Sequence, residues 1–332
     1  MALHRNEMMR FLKYAGSLAI GLILLGPFGL HAQEAYPEKA IKIVVPYPPG
    51  GFNDTLGRFV GKKLSDAWGK PVIVENKPGA GTTIGTAQVA SAAPDGYTIL
   101  VNQFPYATNP FLYKNIPYDT RKAFAPVIFA GKSPMVLVVH AESKFKSAGD
   151  VIQAAKAAPK SINYGSSGSG SSNHLVMAFF ELATNTQLNQ IGYKGSTPLL
   201  TDLAGGQVVV AFDALPHVMP FIKGGRVRPI AVASAKRSSL MPDIPTLTES
   251  GVKGFEASSW HGFVVPAATP PAIIAKLNRQ INEILAQDDA KRFFAEQGVT
   301  PEGGTPAQYG AFINSQMELW GKVVTDGKIT AE

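Results

Sequence analysis

Short apolar runs alternate with helix-spaced apolar positions along most of the chain. Residues 41–45, 71–75 and 97–101 are rich in β-branched side chains and bounded by turn residues, which predicts three buried strands. Between them Leu56, Phe59, Val60 and Leu64 recur at helical spacing, and Ile84, Ala87 and Val89 repeat it more weakly. The order β-α-β-α-β predicts a mostly parallel sheet with helices on its faces. The pattern then restarts, with strands expected over 135–139, 162–164, 187–191, 208–212 and 230–233 and helical faces over 151–158 and 175–182. Thr197-Pro198 reads as a cap followed by a first-turn proline, and Gly205-Gly206 as the stop of that helix. Near the end, 262–265 predicts a strand. Ile273, Ile274, Leu277, Ile281, Ile284 and Leu285 then form one apolar helix stripe, with further helical segments over 293–299 and 309–323. There is no internal repeat and no long linker. Two α/β lobes joined by strands fit this order, with crossings near 132–135 and 257–260. One lobe then comprises 36–134 with 260–332, and the other 135–259.

The first thirty-odd residues belong to another pattern. His4, Arg5, Arg10 and Lys13 precede an apolar stretch over 18–30 that Gly26, Pro27 and Gly29 interrupt, and Ala32 is a small residue at a cleavage position. The stretch is shorter than the ~20 residues that span a bilayer. A signal peptide over 1–32, removed on export, is the expectation. Hydrophobic residues make up 45% and charged residues 17% of the chain, the balance of a folded protein. There is no cysteine, so neither a disulfide framework nor a lipid anchor at a cysteine is available, and a free protein in a periplasm is expected. Net charge is +7; the leader carries three of the 31 basic and one of the 24 acidic residues, which leaves +5. That excess has no basic run and no interleaved aromatics, so nucleic acid is not expected as a partner, whereas small anions would be attracted.

Several stretches could carry chemistry. Tyr47-Pro48-Pro49-Gly50-Gly51-Phe52-Asn53-Asp54 joins the first strand to the first helix. It reads either as an anion seat over a helix N-terminus or as a plain turn capped by Asn53 or Asp54. Gly79-Ala80-Gly81-Thr82-Thr83 reads as a glycine turn with Thr83 as cap. Residues 165–174 combine Ser166, Ser167, Gly168 and Ser171 with further small residues at the start of a helix, which suits a carboxylate better than a linker. Tyr193-Lys194-Gly195 follows a strand, where Lys194 either pairs an anion or is simply solvated. Asp213 ends another strand, as an acceptor for a ligand or as a local backbone bond. His140, His174, His217 and His261 show no metal-ligand spacing, and neither a phosphate loop nor a nucleophile elbow is present, so no cofactor and no catalytic residue are expected.

Taken together, 45–51, 74–81, 95–98, 193–196, 212–216 and 242–251 resemble, in order and spacing, the Bug family of receptors of tripartite tricarboxylate transporters. The resemblance implies a type II periplasmic-binding fold, two mixed sheets flanked by helices and joined by a strand hinge. It also implies a small organic mono- or dicarboxylate held by loops of both lobes, and the membrane permease subunits of such a transporter as partners. The implied ligand-binding set is Tyr47, Pro48, Gly51, Phe52, Asn53, Gln103, Phe104, Ser166, Ser167, Gly168, Ser171, Tyr193, Lys194, Gly195 and Asp213. Many relatives carry asparagine where Ala214 stands. Phe52, Phe104 and Tyr106 suggest an aromatic wall and hence an aromatic carboxylate. A monomer is expected. A sensor subunit that presents its ligand to a membrane kinase is the alternative, and a hydrolase using a loop hydroxyl is a more distant one.

Overall fold

Buried β-branched side chains open the sheet. In the computed structural model, which describes residues 36–331, β1 (Ile41–Val45) lies between β2 (Val72–Asn76) and β3 (Thr98–Gln103), parallel to both. The expected leader lies outside the described residues. From Lys39 onward the chain packs as one compact unit. The connection from β1 to β2 is α1 (Phe52–Trp68), which buries Leu56, Val60 and Leu64. α2 (Thr83–Ala90) leads to β3, and Thr83 is its first residue rather than its cap, donating its hydroxyl to the Ala80 carbonyl.

The longest strand was only partly visible in the sequence. β4 (Phe124–His140) runs for 17 residues, of which the apolar pattern marks 135–139. Pro126, Gly131 and Pro134 read as breakers, but the strand absorbs the irregularity in register shifts against β9 (Ser258–Pro266) between Pro126 and Ile128 and between Phe129 and Gly131. The first half of β4 pairs with β9 and with β10 (Thr300–Gly303), both antiparallel. Its second half pairs antiparallel with β7 (Val210–Ala214) and β8 (Val227–Val232). β5 (Asn163–Ser166) joins β7 in parallel, and β6 (Asn189–Gly192) joins β5. The order β2-β1-β3-β9-β4-β7-β5-β6 is a mixed α/β sheet. The expected crossings at 132–135 and 257–260 fall where β4 and β9 pair with each other, with Pro134 opposite Ser258.

Two helices were unforeseen because they contain proline. α3 (Phe104–Leu112) and α7 (Leu215–Lys223) each carry one proline in the first turn, where no amide is missed, and a second further in, at Pro110 and Pro220. α4 (Ala148–Ala157) and α5 (Ser172–Thr184) precede β5 and β6, and α6 (Ser196–Ala204) precedes β7. α8 (Pro271–Leu285), α9 (Asp288–Glu296) and α10 (Pro306–Asp326) close the chain. The segment expected as helix over 293–299 is thus only the end of α9, followed by a turn into β10.

Packing around α10 accounts for much of the core. Trp320 is fully buried against Phe104, with ring centroids 4.7 Å apart, and Phe179 meets it edge-on at 6.0 Å. Phe104 therefore belongs to the core. Gly262 of β9 lies under Tyr309 of α10. A Cβ built on it would land on the tyrosine ring and 2.7 Å from the Ile128 carbonyl oxygen, so this crossing requires glycine.

Candidate functional site

Four helices begin at one cleft, and none has a side-chain cap. The N-caps are Gly51 for α1, Gln103 for α3, Gly195 for α6 and Ala214 for α7. Elsewhere Ser147, Ser171 and Thr305 cap α4, α5 and α10 with hydroxyls, whereas α2, α8 and α9 also have no side-chain cap. The expected caps Asn53, Asp54 and Thr197 instead sit inside the first turns of α1 and α6. Gly195 reaches φ +110°, a conformation that glycine tolerates. The free amides and positive ends of the helix dipoles favour negative charge there.

The cleft has a volume of about 740 Å³. Tyr47, Pro48, Gly51, Phe52, Asn53 and Gln103 line one side. Ser196, Thr197 and Leu200 of α6, with Ala214, Pro216, His217 and Phe221 at and in α7, line the other. Ser133 of β4 and Ser259 and His261 of β9 lie between them. Among the described residues, no lysine or arginine lines it.

Its polar groups are held in fixed directions. Tyr47 Oη donates to Gln103 Oε1 at 2.5 Å, so the Gln103 amide is turned to donate to Ser259 Oγ at 3.2 Å. His261 is buried and stacks edge-on with Phe52 at 4.5 Å. Burial pushes its imidazole down to about 3, and the neighbouring His217 adds to the effect, so it is neutral at physiological pH. Its Nδ1 donates to Asn53 Oδ1 at 2.8 Å, which leaves Nε2 as an acceptor. Ser133 Oγ is buried and has no partner among the described residues.

The turn itself is anchored from behind by Asp54. Its Oδ2 accepts from the Gly50 amide at 2.9 Å, and its Oδ1 from Asn76 Nδ2 at 2.9 Å and from Arg58 Nη2 at 2.9 Å. Asn76 Nδ2 also donates to the Tyr47 carbonyl at 3.1 Å. Burial raises the Asp54 carboxyl, but Arg58, Gly50 and Asn76 together outweigh it and hold it below the usual carboxylate range.

The remaining candidates lie at the periphery or behind the wall. Ser167 Oγ is 3.3 Å from Ser196 Oγ, which puts the serine loop beside the start of α6 without lining the cleft. Ser166 is fully buried and accepts from Gln190 Nε2 at 2.7 Å, and Ser171 caps α5. Gly168 and Tyr193 follow β5 and β6, with the Tyr193 carbonyl 3.6 Å from a Cβ built on Gly168. Lys194 is exposed and Gly195 contributes as the N-cap of α6. Asp213 is buried and bonds locally: Oδ1 accepts from the Ala214 amide at 2.7 Å and from His217 Nδ1 at 2.8 Å. Phe104 and Tyr106 are in the core, so the aromatic wall consists of Tyr47, Phe52 and Phe221. Sequence reasoning missed Ser133, Ser259, His261, Ser196 and His217. Only the last had a local signal, since Asp213 and His217 stand four residues apart across a strand-to-helix turn.

Comparison with known proteins decides what this cleft belongs to. The sequence profile described as "Tripartite tricarboxylate transporter family receptor" matches residues 56–328. The chain belongs to this receptor family. Protein BugT of Bordetella pertussis is 38% identical over 93% of this chain and 96% of its own length. Among solved structures, Rpa4515 of R. palustris with adipate is 33% identical, covers 89% of this chain and 99% of its own, and superposes with a TM-score of 0.78. MatC of Rhodopseudomonas palustris with bound malate is 27% identical over 87% of this chain and 100% of its own, with a TM-score of 0.74. The tripartite tricarboxylate transporter receptors are periplasmic solute-binding proteins and not enzymes, which removes the hydrolase alternative.

Proposed function

We propose that this chain captures a small organic carboxylate in the periplasm and delivers it to the membrane permease subunits of a tripartite transporter. The observation that carries the reading is the convergence of four helix N-termini without side-chain caps on one cleft that no lysine or arginine lines among the described residues. Backbone amides then supply most of the attraction. Gln103, Ser259 and the unpartnered hydroxyl of Ser133 supply direction. The adipate and malate held by the two relatives support a carboxylate ligand. Export after cleavage near Ala32 would place the chain in the compartment where such receptors work.

Residues 36–134 with 260–332 form one lobe in this reading and 135–259 the other, and β4 and β9 carry the hinge. Closure brings the α1 terminus towards those of α6 and α7 and excludes water, which strengthens each charge–dipole contact. A thermal-shift screen of mono-, di- and tricarboxylates tests the reading, because a ligand selective for the native state raises the melting temperature. At a hundredfold excess over Kd the native state gains about 2.7 kcal/mol. A screen in which amines or sugars shift the protein and no carboxylate does would refute it.

A further inference from the structure

Among the described residues, His217 is the one group lining the cleft that can become a cation near neutrality. It stands in the first turn of α7, 55% of its side chain is exposed, and its Nδ1 is engaged by Asp213 Oδ1 at 2.8 Å. The second titratable imidazole there, His261, is buried and neutral. Asp213 is itself 2% exposed, and its Oδ2 has no partner among the described residues. A buried carboxylate so poorly satisfied favours a positive neighbour. With Nδ1 bound to Asp213, the free N–H of the charged ring is at Nε2.

We propose that His217, held by Asp213, binds a second carboxylate of the ligand as an imidazolium, so that the chain prefers dicarboxylates to the corresponding monocarboxylates. The inference rests on the carboxylate-receptor reading and adds a specificity-determining residue to it. The charge balance explains the preference. When His217 is protonated, the pair is neutral overall and presents a donor to the cleft. When it is neutral, the charge of Asp213 stands alone behind the wall and opposes a dianion. The bond to Asp213 holds the imidazole above the ordinary histidine value, although burial works in the other direction. Dicarboxylate affinity is therefore high at mildly acidic pH and falls as pH rises through the His217 value.

Most other charges on the surrounding elements are engaged elsewhere or exposed to solvent. On β4, Lys132 pairs with Glu302 and His140 Nδ1 meets the Leu203 carbonyl. On β8, Arg228 donates to the carbonyls of Ala141, Ser143 and Phe145. Asp202 on α6 interacts with Tyr193, and Lys194 before α6, Lys223 in the last turn of α7 and Glu296 at the end of α9 are exposed. Asp213 is thus the titratable group that acts on His217 directly, and His217 in turn acts on His261.

The test is calorimetric titration with straight-chain dicarboxylates from succinate to suberate, each against the monocarboxylate of equal length, between about pH 5.5 and about pH 8. The parent protein should bind its best dicarboxylate at least about tenfold more tightly than the matched monocarboxylate at the acidic end, an amount typical of one charge-assisted bond. That ratio should shrink towards the alkaline end. His217→Asn should remove both the preference and its pH dependence. His217→Lys should keep the preference but make it flat with pH, which a merely structural histidine would not do. Asp213→Asn should move the midpoint of the pH dependence downward. Monocarboxylates binding as tightly as dicarboxylates, or a preference that survives in His217→Asn, would overturn the inference while leaving the receptor reading in place. Absence of binding by every acid at every pH would sink both.

Discussion

Replacing Asp54 by asparagine tests whether the turn beneath the cleft is set by one buried carboxylate. Asp54 is 4% exposed and accepts from the Gly50 amide, from Asn76 Nδ2 and twice from Arg58, so every group facing it is a donor. Asparagine keeps the volume but has one acceptor oxygen, and its amide must point a donor at donors. At least two bonds fail, each worth about 1 kcal/mol net. The ion pair adds little, because the Arg58 side chain is 52% exposed and an exposed pair contributes about 0–1 kcal/mol. The expected loss is about 2–3 kcal/mol, or roughly 3–5 °C in melting temperature for a chain of this size. Urea unfolding followed by circular dichroism measures it. The pH dependence adds a signature. The folded carboxyl lies below its usual value, so its contribution is complete above the unfolded value of about 3.9 and disappears as pH falls through the folded one. The gap between parent and variant should therefore narrow below about pH 4. A gap under about 0.5 kcal/mol at neutral pH, or one that widens on acidification, would refute the reasoning.

Three further outcomes follow from the packing and the site. Tyr47→Phe removes the bond that turns the Gln103 amide, and should weaken carboxylate binding by about three- to tenfold with little change in melting temperature, as read by calorimetry. Gly262→Ala drives a methyl group into Tyr309 and the Ile128 carbonyl; a destabilisation of about 3 kcal/mol or loss of soluble protein is expected in urea unfolding, and a parent-like midpoint would contradict it. Trp320→Ala opens a cavity beside Phe104 and Phe179 and should cost about 3–5 kcal/mol by the same measurement.

The α/β class was legible because its signals are local. The run 41–45 and the stripe Leu56, Val60, Leu64 became β1 and the buried face of α1. Where proline or glycine interrupted a pattern, tertiary packing overrode it, as in the first half of β4 and in α3 and α7. The turn at Tyr47–Asn53 was visible as glycine and proline between strand and helix. Ser133, Ser259 and His261 were not, because each becomes a cleft residue only when β4 and β9 pair across more than a hundred residues of sequence. Phe104 shows the converse: its place after β3 suggested the cleft, but the start of α3 turns its ring inward to Trp320.

The sharing of β4 limits how this protein can be taken apart. One uninterrupted strand supplies hydrogen-bonding edges to β9 and β10 through its first half and to β7 and β8 through its second. No single cut in the chain separates the two sets of partners without leaving a raw sheet edge on at least one fragment. Grafting a relative's ligand preference is therefore better done by exchanging the short segments that begin α1, α6 and α7 than by exchanging halves. An insertion of one residue in the middle of β4 would turn the side chains of one half onto the opposite face, so length in this strand should be far less tolerant of change than composition.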